Sequence, residues 1–260
     1  MGVMTALNGK IVFITGASAG IGEACAQAFA SAGARLLLAA RRKDRLEQSA
    51  LKLRSLGAPD VHLLQLDVTQ ATAVAAAISG LPEQWKAIDV LVNNAGLSRG
   101  LDKLYAGQLD DWEEMIDTNV KGLLYVTRAV VPGMVSRGRG HVVNLGSTAG
   151  ELTYPGGAVY CATKAAERSI NDGLRQDLLG TPVRVTTVDP GMVETEFSEV
   201  RFRGDTERAA KVYHGLTPLT AADVADAILW ATTRPAHVNI ARVSLTSIDQ
   251  ANSLLFNRKA

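Results

Sequence analysis

The sequence predicts an α/β fold: a doubly wound parallel sheet of about seven strands, with helices on both faces. Short runs of continuous apolar residues alternate along the chain with longer helical segments rich in alanine. Apolar runs without polar alternation indicate strands that are covered on both faces. A helix after each strand indicates right-handed parallel crossovers. The 24 glycines and the low aromatic content of 5 % suit close packing of helices on a sheet.

The elements follow one another as strand, turn and helix. The predicted strands are Ile11–Thr15, Arg35–Ala40, Val61–Gln65, Val90–Asn93, His141–Leu145 and Val183–Val188, with a weaker strand near Val243–Thr246. The predicted helices are Gly22–Ala32, Asp44–Leu56, Thr72–Leu81, Asp110–Arg137, Tyr160–Leu179 and Ala221–Thr232. We find no linker or repeat, so a single domain over residues 1–260 is expected. The polar, charged segment 192–217 has no regular pattern, and a long irregular insertion in a compact domain is usually functional.

Charge and composition argue against several classes of protein. The net charge of +1 gives no reason to expect nucleic acid or a membrane as a partner. Cys25 and Cys161 lack a CxxC spacing, so reduced thiols are expected. The N-terminus turns polar too early for a signal peptide, Ala6 breaks the myristoylation pattern, and no apolar run reaches the length of a membrane span. The four histidines have no ligand spacing. We therefore expect a cytoplasmic protein without a metal.

A glycine-rich turn follows the first strand and opens the first helix, with the sequence TGASAGIG over residues 15–22. Small residues let the backbone approach a pyrophosphate, and the helix N-terminus supplies free N–H groups and a favourable dipole. The Gly-x-x-x-Gly-x-Gly spacing differs from the common Gly-x-Gly-x-x-Gly fingerprint. Its position in the chain nevertheless favours a dinucleotide site over an ordinary turn. The residues expected to contact the dinucleotide are Gly16, Ser18, Ala19, Gly20, Ile21 and Gly22.

The end of the second strand indicates which dinucleotide would bind. An acidic residue there would hold the ribose hydroxyls of NAD. The strand instead ends in Arg41 and Arg42, and a guanidinium binds phosphate through a charge-assisted fork. These arginines can also be solvated charges at the start of a helix, but together with the missing acid they favour NADP(H). Asp67 and Val68, after the third strand, are placed to contact the adenine; Asp67 can equally be a helix cap.

Tyr160 and Lys164 lie four residues apart, on one face of a predicted helix. A phenol ionises near pH 10 (a value of about 10 in model peptides), so it is a poor base at neutral pH. A nearby cation favours the phenolate and makes such a group a workable acid or base. Ser147 follows the fifth strand, where its hydroxyl can hydrogen-bond the reacting oxygen. The three residues together predict a site that transfers a proton.

Two asparagine positions add to this set. Asn94 belongs to the sequence NNAG, which ends the fourth strand at residues 93–96. Asn119 lies among apolar residues of the following helix, and a buried asparagine needs a hydrogen-bond partner. A solvated Asn119 is the alternative.

The chain resembles the short-chain dehydrogenase/reductase family over essentially its whole length. The resemblance is carried by TGASAGIG, NNAG, Asn119, Ser147, Tyr160-x-x-x-Lys164 and Pro190-Gly191, in the order and spacing of that family. It implies a single Rossmann-type domain over residues 1–260 that both binds the dinucleotide and catalyses, with a substrate lid at about residues 192–217. It also implies a homotetramer that acts on a small molecule.

The resemblance assigns roles to individual residues. Asn119, Ser147, Tyr160 and Lys164 look like a catalytic tetrad. By that likeness Tyr160 exchanges the proton and Ser147 positions the carbonyl or hydroxyl. Lys164 favours the ionised phenol and contacts the nicotinamide ribose, and Asn119 helps to carry a relay water. The remaining residues that look like cofactor contacts are Asn94, Pro190, Gly191, Val193 and Thr195.

A narrower resemblance concerns the NADP-dependent 3-hydroxy acid dehydrogenases. It is carried by the residues around Trp112–Asn119, Gly146–Gly150, Thr195–Phe202 and Pro235–Ile240. It implies L-serine, L-allo-threonine or 3-hydroxypropionate as substrate, with malonic semialdehyde reduced in the reverse direction. Independently, a lid over a steroid or long acyl chain should be more apolar than segment 192–217. We hypothesise that Arg201 binds a substrate carboxylate; an exposed lid arginine is the alternative.

Two other functions fit the sequence. One is an NADPH-dependent reductase of another small ketone or aldehyde. The other is a non-catalytic, NADP-sensing regulator, although such proteins usually lose part of the tetrad.

Overall fold

A seven-stranded parallel sheet forms the centre of the protein. The structure, a computed structural model, describes residues 7–259, so the expectations about a leader and an acylation pattern at residues 1–6 lie outside the described residues. The strands are β1 (Ile11–Thr15), β2 (Arg35–Ala40), β3 (Val61–Gln65), β4 (Ile88–Asn93), β5 (Gly140–Leu145), β6 (Val183–Pro190), β7 (Val193–Glu194), β8 (Leu219–Thr220) and β9 (Arg242–Leu245). The sheet order is β3-β2-β1-β4-β5-β6-β9, and every neighbouring pair is parallel. The predicted doubly wound sheet is confirmed.

Helices cover both faces of this sheet. They are α1 (Gly20–Ser31), α2 (Lys43–Ser55), α3 (Ala71–Ser79), α4 (Leu109–Ile116), α5 (Leu123–Ser136), α6 (Ala158–Asp177), α7 (Phe197–Arg201), α8 (Thr206–Tyr213) and α9 (Ala221–Thr232). Successive residues of a strand point to opposite faces. Ile14 therefore packs with Phe29 of α1 in one core layer, whereas Phe13 packs with Met134 of α5 in the other. The continuous apolar runs of the sequence reflect this double coverage.

The order of the strands determines where a ligand can bind. β1 lies between β2 and β4, so the chain winds in opposite directions on its two sides. In sheets of this kind a crevice opens at that point, outside the carboxyl ends of the strands. The glycine-rich turn after β1 and the segments after β4, β5 and β6 all end at this edge.

The predicted helix Asp110–Arg137 is wrong in its middle part. A π-helical turn, Asp117–Gly122, separates α4 from α5. Its Asn119 turns inward to bond the backbone of Leu97, and Gly122 packs against Val68, where a Cβ would come within 2.7 Å of the Val68 methyl carbon Cγ2. These tertiary contacts, which helical periodicity does not report, favour the wider turn. π turns frequently occur at functional sites.

The segment 192–217 is more regular than the sequence predicts. It contains β7, α7 and α8, and β7 pairs in parallel with β8 just beyond the segment. Phe202 and Ala209 are buried, and the Tyr213 hydroxyl bonds Ser198 Oγ at 2.8 Å and the Val193 carbonyl at 3.0 Å. These contacts fold the charged segment over the carboxyl edge of the sheet. No helix among the described residues is long and apolar enough to cross a membrane.

Candidate active site

The glycine-rich turn brings backbone very close to backbone. Gly16 and Gly20 have φ angles of +65° and +55°, which disfavour other residue types. A Cβ on Gly22 would lie 2.3 Å from the Gly16 carbonyl oxygen, so only glycine fits. The Asn94 amide donates to the carbonyls of Thr15 and Gly16 at 2.9 and 3.1 Å. The turn is therefore fixed before a ligand arrives.

Thr15 connects β1 to β4 at the same place. Its hydroxyl oxygen accepts hydrogen bonds from the backbone N–H groups of Asn94 and Ala95, both at 3.1 Å. The sequence indicates Thr15 only as the first residue of the glycine-rich motif and predicts no contact for its hydroxyl. The contacts explain why a small hydroxyl side chain suits this position.

Arg42 lies at the far end of the cleft, next to the glycine-rich turn. Its Nε and Nη2 both lie 3.3 Å from Ser18 Oγ, and its Nη1 lies 3.0 Å from Glu196 Oε2. Arg45 also pairs with Glu196. The hydrogen bond from Arg45, and to a smaller extent the one from Arg42, lowers the pKa of the Glu196 carboxyl below its ordinary value. Glu196 and Arg45 were not predicted. Glu196 therefore pairs with the guanidinium of Arg42, which the sequence predicts as a partner of a 2′-phosphate.

Asp67 forms a local turn rather than the helix cap that was its alternative, because the N-cap residue of α3 is Gln70. Its Oδ1 accepts hydrogen bonds from the backbone N–H and the hydroxyl of Thr69, at 3.0 and 2.8 Å, before α3 begins. Asp67 and Val68 still line the cleft, beside Arg41. The turn therefore fixes the carboxylate at the cleft wall.

Ser147 and Tyr160 lie on the opposite side of the cleft. Ser147 Oγ accepts from the Ala149 N–H at 3.1 Å and faces the Pro190 carbonyl at 3.4 Å. Tyr160 is 8 % exposed, and its ring centroid lies 5.7 Å from that of Phe197. Both residues line the same cleft as the glycine-rich turn.

Lys164 is held at the base of this cleft by two acceptors. Its Nζ donates to the Leu145 carbonyl at 2.6 Å and to Glu167 Oε2 at 2.8 Å. Burial disfavours the charged ammonium, but attraction by Glu167 and Tyr160 outweighs burial and raises the pKa of Lys164 above its ordinary value. An ammonium has three N–H donors, so one remains for a group in the cleft.

Asn119 is buried and fully bonded rather than solvated. Its Oδ1 accepts from the Leu97 N–H at 2.8 Å, and its Nδ2 donates to the Leu97 carbonyl at 2.8 Å and to Thr163 Oγ1 at 3.0 Å. The side chain does not line the cleft. It fastens the segment after β4 to α6, the helix that carries Tyr160 and Lys164.

Arg201 stands at the end of α7, directly over the tyrosine. Its guanidinium carbon lies 5.6 Å from the ring centroid of Tyr160 and 5.1 Å from that of Phe197. Its Nη2 donates to the Tyr154 hydroxyl at 3.2 Å, whereas its Nε is buried and has no partner among residues 7–259. No carboxylate of those residues pairs with it. The exposed-arginine alternative does not describe this geometry.

The cleft has a volume of about 370 Å³ and contains most of the predicted cofactor residues. Those lining it are Gly16, Ser18, Ala19, Gly20, Ile21, Arg41, Arg42, Asp67, Val68, Asn94, Tyr160, Lys164, Pro190, Gly191, Val193 and Thr195. Gly22 lies behind the turn. The Thr195 side chain lies close to the glycine-rich turn, because a Cβ on Gly20 would lie 3.4 Å from it.

Several residues of the wall were not predicted. They include Gly96, Leu97, Glu196, Phe197 and Val200. Gly96 is the last residue of the NNAG motif and Leu97 follows it, so the motif itself was the signal for both. Phe197 and Val200 had no signal as wall residues, because their position depends on how α7 docks.

The donor set fits NADP(H). A Cβ on Gly20 would narrow the cleft between the turn and Thr195, so glycine keeps this space open for a pyrophosphate. Arg42 with Ser18 provides donors for a phosphate oxygen at the ribose end. Metal chemistry has no comparable support: within residues 7–259, no three His, Cys, Asp or Glu side chains are grouped so that they could hold an ion.

Comparisons with known proteins agree with this geometry. The family model for short chain dehydrogenases matches residues 10–205. The chain is 51 % identical over 242 residues to the NADP-dependent 3-hydroxy acid dehydrogenase of Salmonella typhi, covering 93 % of this chain and 96 % of that protein. It is 46 % identical over 239 residues to the protein of the same name from Schizosaccharomyces pombe, covering 92 % of each.

A solved structure gives the same result. It is described as the closed form of serine dehydrogenase complexed with NADP⁺ and superposes with a TM-score of 0.90 at 45 % identity, covering 96 % of this chain and 100 % of that one. These relatives are dehydrogenases, so the regulator alternative gains no support.

Proposed function

Because the chain belongs to the short-chain dehydrogenase family and is an NADP-dependent oxidoreductase acting on a CH–OH group, we propose that its substrate is a small 3-hydroxy acid. The candidates are L-serine, L-allo-threonine and 3-hydroxypropionate, with malonic semialdehyde reduced in the reverse direction. The relatives named after 3-hydroxy acids and serine support this class.

The observation that carries the proposal is the guanidinium of Arg201 above the ring of Tyr160. In a 3-hydroxy acid the carboxyl carbon is two bonds from the carbinol carbon, so one substrate can reach both groups. The buried Nε, which no group in the described part of the chain pairs with, is a donor that a carboxylate oxygen would satisfy. A substrate without a carboxylate would leave that donor unpaired.

The lid, residues 192–217, carries Arg201 in this proposal. Arg99 holds the lid in place. Its Nε and Nη2 pair with Glu114, both at 2.7 Å, and its Nη1 donates to the Val200 carbonyl. The Gly100 N–H also donates to the Arg201 carbonyl at 3.0 Å. The lid backbone next to Arg201 is therefore fixed by the segment after β4.

Proton transfer is assigned to Tyr160 and Lys164 of α6 and to Ser147, which follows β5. NADP⁺, when bound, accepts the hydride, and NADPH donates it. Ser147 orients the substrate oxygen, and Tyr160 takes its proton during oxidation and returns it during reduction. Lys164 stabilises the phenolate by its charge and offers its free N–H to the ribose. Asn119 fixes the loop at Leu97 against α6, and the family resemblance implies that it helps to carry a relay water.

A panel assay tests this function. The hydroxy acids above are expected to be oxidised with NADP⁺, with much lower rates on NAD⁺ and on neutral alcohols. Tyr160→Phe removes the proton acceptor and keeps the ring, so NADPH formation should fall by about 10²- to 10⁴-fold, while NADP⁺ binding is retained. NADPH formation that persists in this variant would contradict the mechanism.

A second candidate is a reductase of another small ketone or aldehyde. Leu97, Phe197 and Val200 make the remaining wall of the cleft apolar, which suits a neutral carbonyl compound. The same panel decides, because such an enzyme would prefer substrates without a carboxylate.

The assembly proposed for this enzyme is a homotetramer. On the run from α4 to α5, Ile116 and Leu124 are 41 % and 42 % exposed, which gives this long helical face apolar surface to bury. Sedimentation velocity would show a species of four chains; a stable monomer at micromolar concentration would contradict it.

A further inference from the structure

Glu167 is a buried carboxylate that the proposed chemistry does not use. It lies on α6, three residues after Lys164, and its side chain is 3 % exposed. One oxygen, Oε2, accepts from Lys164 Nζ at 2.8 Å. The other, Oε1, is buried without a partner among the described residues. Glutamate is almost never fully buried unless it is paired, so its position against this lysine calls for a reason.

The charged groups around Glu167 come from three elements. Lys164 faces it from its own helix and Asp189 faces it from β6. Tyr160, on the same helix, acts on Lys164. Asp189 is neutralised from β9, where Arg242 Nε donates to its Oδ2 at 2.6 Å. The same arginine also pairs with Glu151 on the outer side. Among the residues that the structure describes, the charge nearest to Lys164 that no arginine compensates is therefore that of Glu167.

The ionisation of the two partners is consistent with a single coupled unit. Burial raises the pKa of the Glu167 carboxyl to about 7, against the opposing attraction of the Lys164 ammonium. The ammonium in turn keeps its proton because the attraction of Glu167 outweighs its burial. When both groups are ionised, the pair has no net charge.

We propose that Glu167 is a positioning residue that fixes Lys164 between the end of β5 and α6 and, by cancelling its charge, sets the pH at which Tyr160 loses its proton. This inference rests on the proposed role of Tyr160. It adds a residue outside the tetrad that controls the tetrad's working pH.

The direction of the effect follows from charge. In the native protein, ionising Tyr160 beside the neutral pair adds one negative charge to a buried site. With glutamine at position 167, the ammonium is uncompensated, so the first proton leaves the Tyr160–Lys164 pair at lower pH. A charge within about 4–6 Å shifts such an ionisation by roughly 1–3 units, and since Glu167 acts across Lys164, a shift of about one unit is expected.

The test is the pH dependence of kcat/KM for oxidation of the hydroxy acid with NADP⁺. In Glu167→Gln the rising limb should move about one pH unit to lower pH. Glu167→Met, a second neutral variant, should move it in the same direction. Glu167→Asp keeps the charge and should leave the limb near its native position. An unmoved limb in either neutral variant that folds would overturn the proposal, as would the same shift in the aspartate variant.

Asn171→Leu is the matched control. Asn171 is fully buried one turn further along α6, accepts from Asn144 Nδ2 at 3.1 Å, and also has an unpartnered buried atom, but it carries no charge. Its variant should lose thermal stability without moving the limb. If Tyr160→Phe remained active, the proposed function would fail. If Tyr160→Phe lost activity but the Glu167 variants kept the native limb, the proposed function would stand and only this inference would fail.

Discussion

Arg201→Ala is the substitution that separates a 3-hydroxy acid dehydrogenase from a general carbonyl reductase. It should reduce kcat/KM for 3-hydroxypropionate strongly and leave 1-propanol almost unaffected. The two substrates share their carbon chain and hydroxyl group, but only the acid has a carboxylate. The guanidinium carbon of Arg201 lies 5.6 Å from the ring centroid of Tyr160, and its buried Nε has no partner within residues 7–259.

The magnitude follows from that burial. Hydrogen bonds to charged groups contribute about 1.5–3 kcal/mol, and removing one partner of a buried charged pair costs about 2–5 kcal/mol. Arg201 is only partly buried as a residue, so we take about 2–4 kcal/mol. At about 1.4 kcal/mol per factor of ten, kcat/KM for the acid should fall roughly 30- to 700-fold.

Steady-state kinetics with both substrates at saturating NADP⁺ measures this difference. Arg201→Lys, which keeps the charge but loses the planar fork, should fall between the native enzyme and the alanine variant. Arg208→Ala is the control, because this exposed arginine of α8 stacks on Phe202 instead. An equal loss on acid and alcohol would indicate damage to the fold, and an unchanged KM for the acid would refute the assignment.

Two further predictions concern the cofactor and the core. Arg42→Ala should raise KM for NADP⁺ about 10- to 30-fold, because a half-exposed charged contact to phosphate contributes about 1.5–2 kcal/mol. KM for NAD⁺, which has no 2′-phosphate, should stay within about threefold of its native value. An equal rise in KM for both cofactors would argue against a 2′-phosphate contact. Burial lowers the pKa of His141, whose Nε2 lies 2.7 Å from Thr186 Oγ1, to about 3. The unfolded chain binds this proton near pH 6.5 and the folded protein does not, so the free energy of unfolding should fall as pH drops from about 6.5 towards 3, by about 2 kcal/mol at pH 5. Urea unfolding across this pH range should show a smaller fall in the free energy of unfolding for His141→Gln than for the native protein. An identical pH dependence in the two proteins would contradict this prediction.

The sheet and the glycine-rich turn could be predicted because their causes are local. A strand covered on both faces is apolar along most of its length, so β1 and β2 are visible as nearly continuous apolar runs. The turn must contain glycine where φ is positive or where backbones touch, as at Gly16 and Gly22. Such requirements appear in the sequence at fixed spacing.

The missed features have causes that are distant in sequence. Glu196 faces Arg42 across 154 residues, and Asn119 reaches back 22 residues to Leu97. Nothing in the local pattern marks either contact. Glu167 is the clearest case: its helix is amphipathic, and a glutamate three residues after a lysine reads as a surface ion pair. Only the burial of both side chains shows otherwise.

The same distant contacts explain why cofactor and substrate residues should not be interpreted separately. The short run from Thr195 to Arg201 packs on Gly20 at the phosphate end, pairs with Arg42 at the ribose end through Glu196, and places its last residue over Tyr160. A substitution at either end changes what holds this run in place. KM for the hydroxy acid should therefore be measured in Arg42→Ala, and KM for NADP⁺ in Arg201→Ala. A direct phosphate contact predicts an effect on NADP⁺ that exceeds the effect on the acid, and a direct carboxylate contact predicts the reverse.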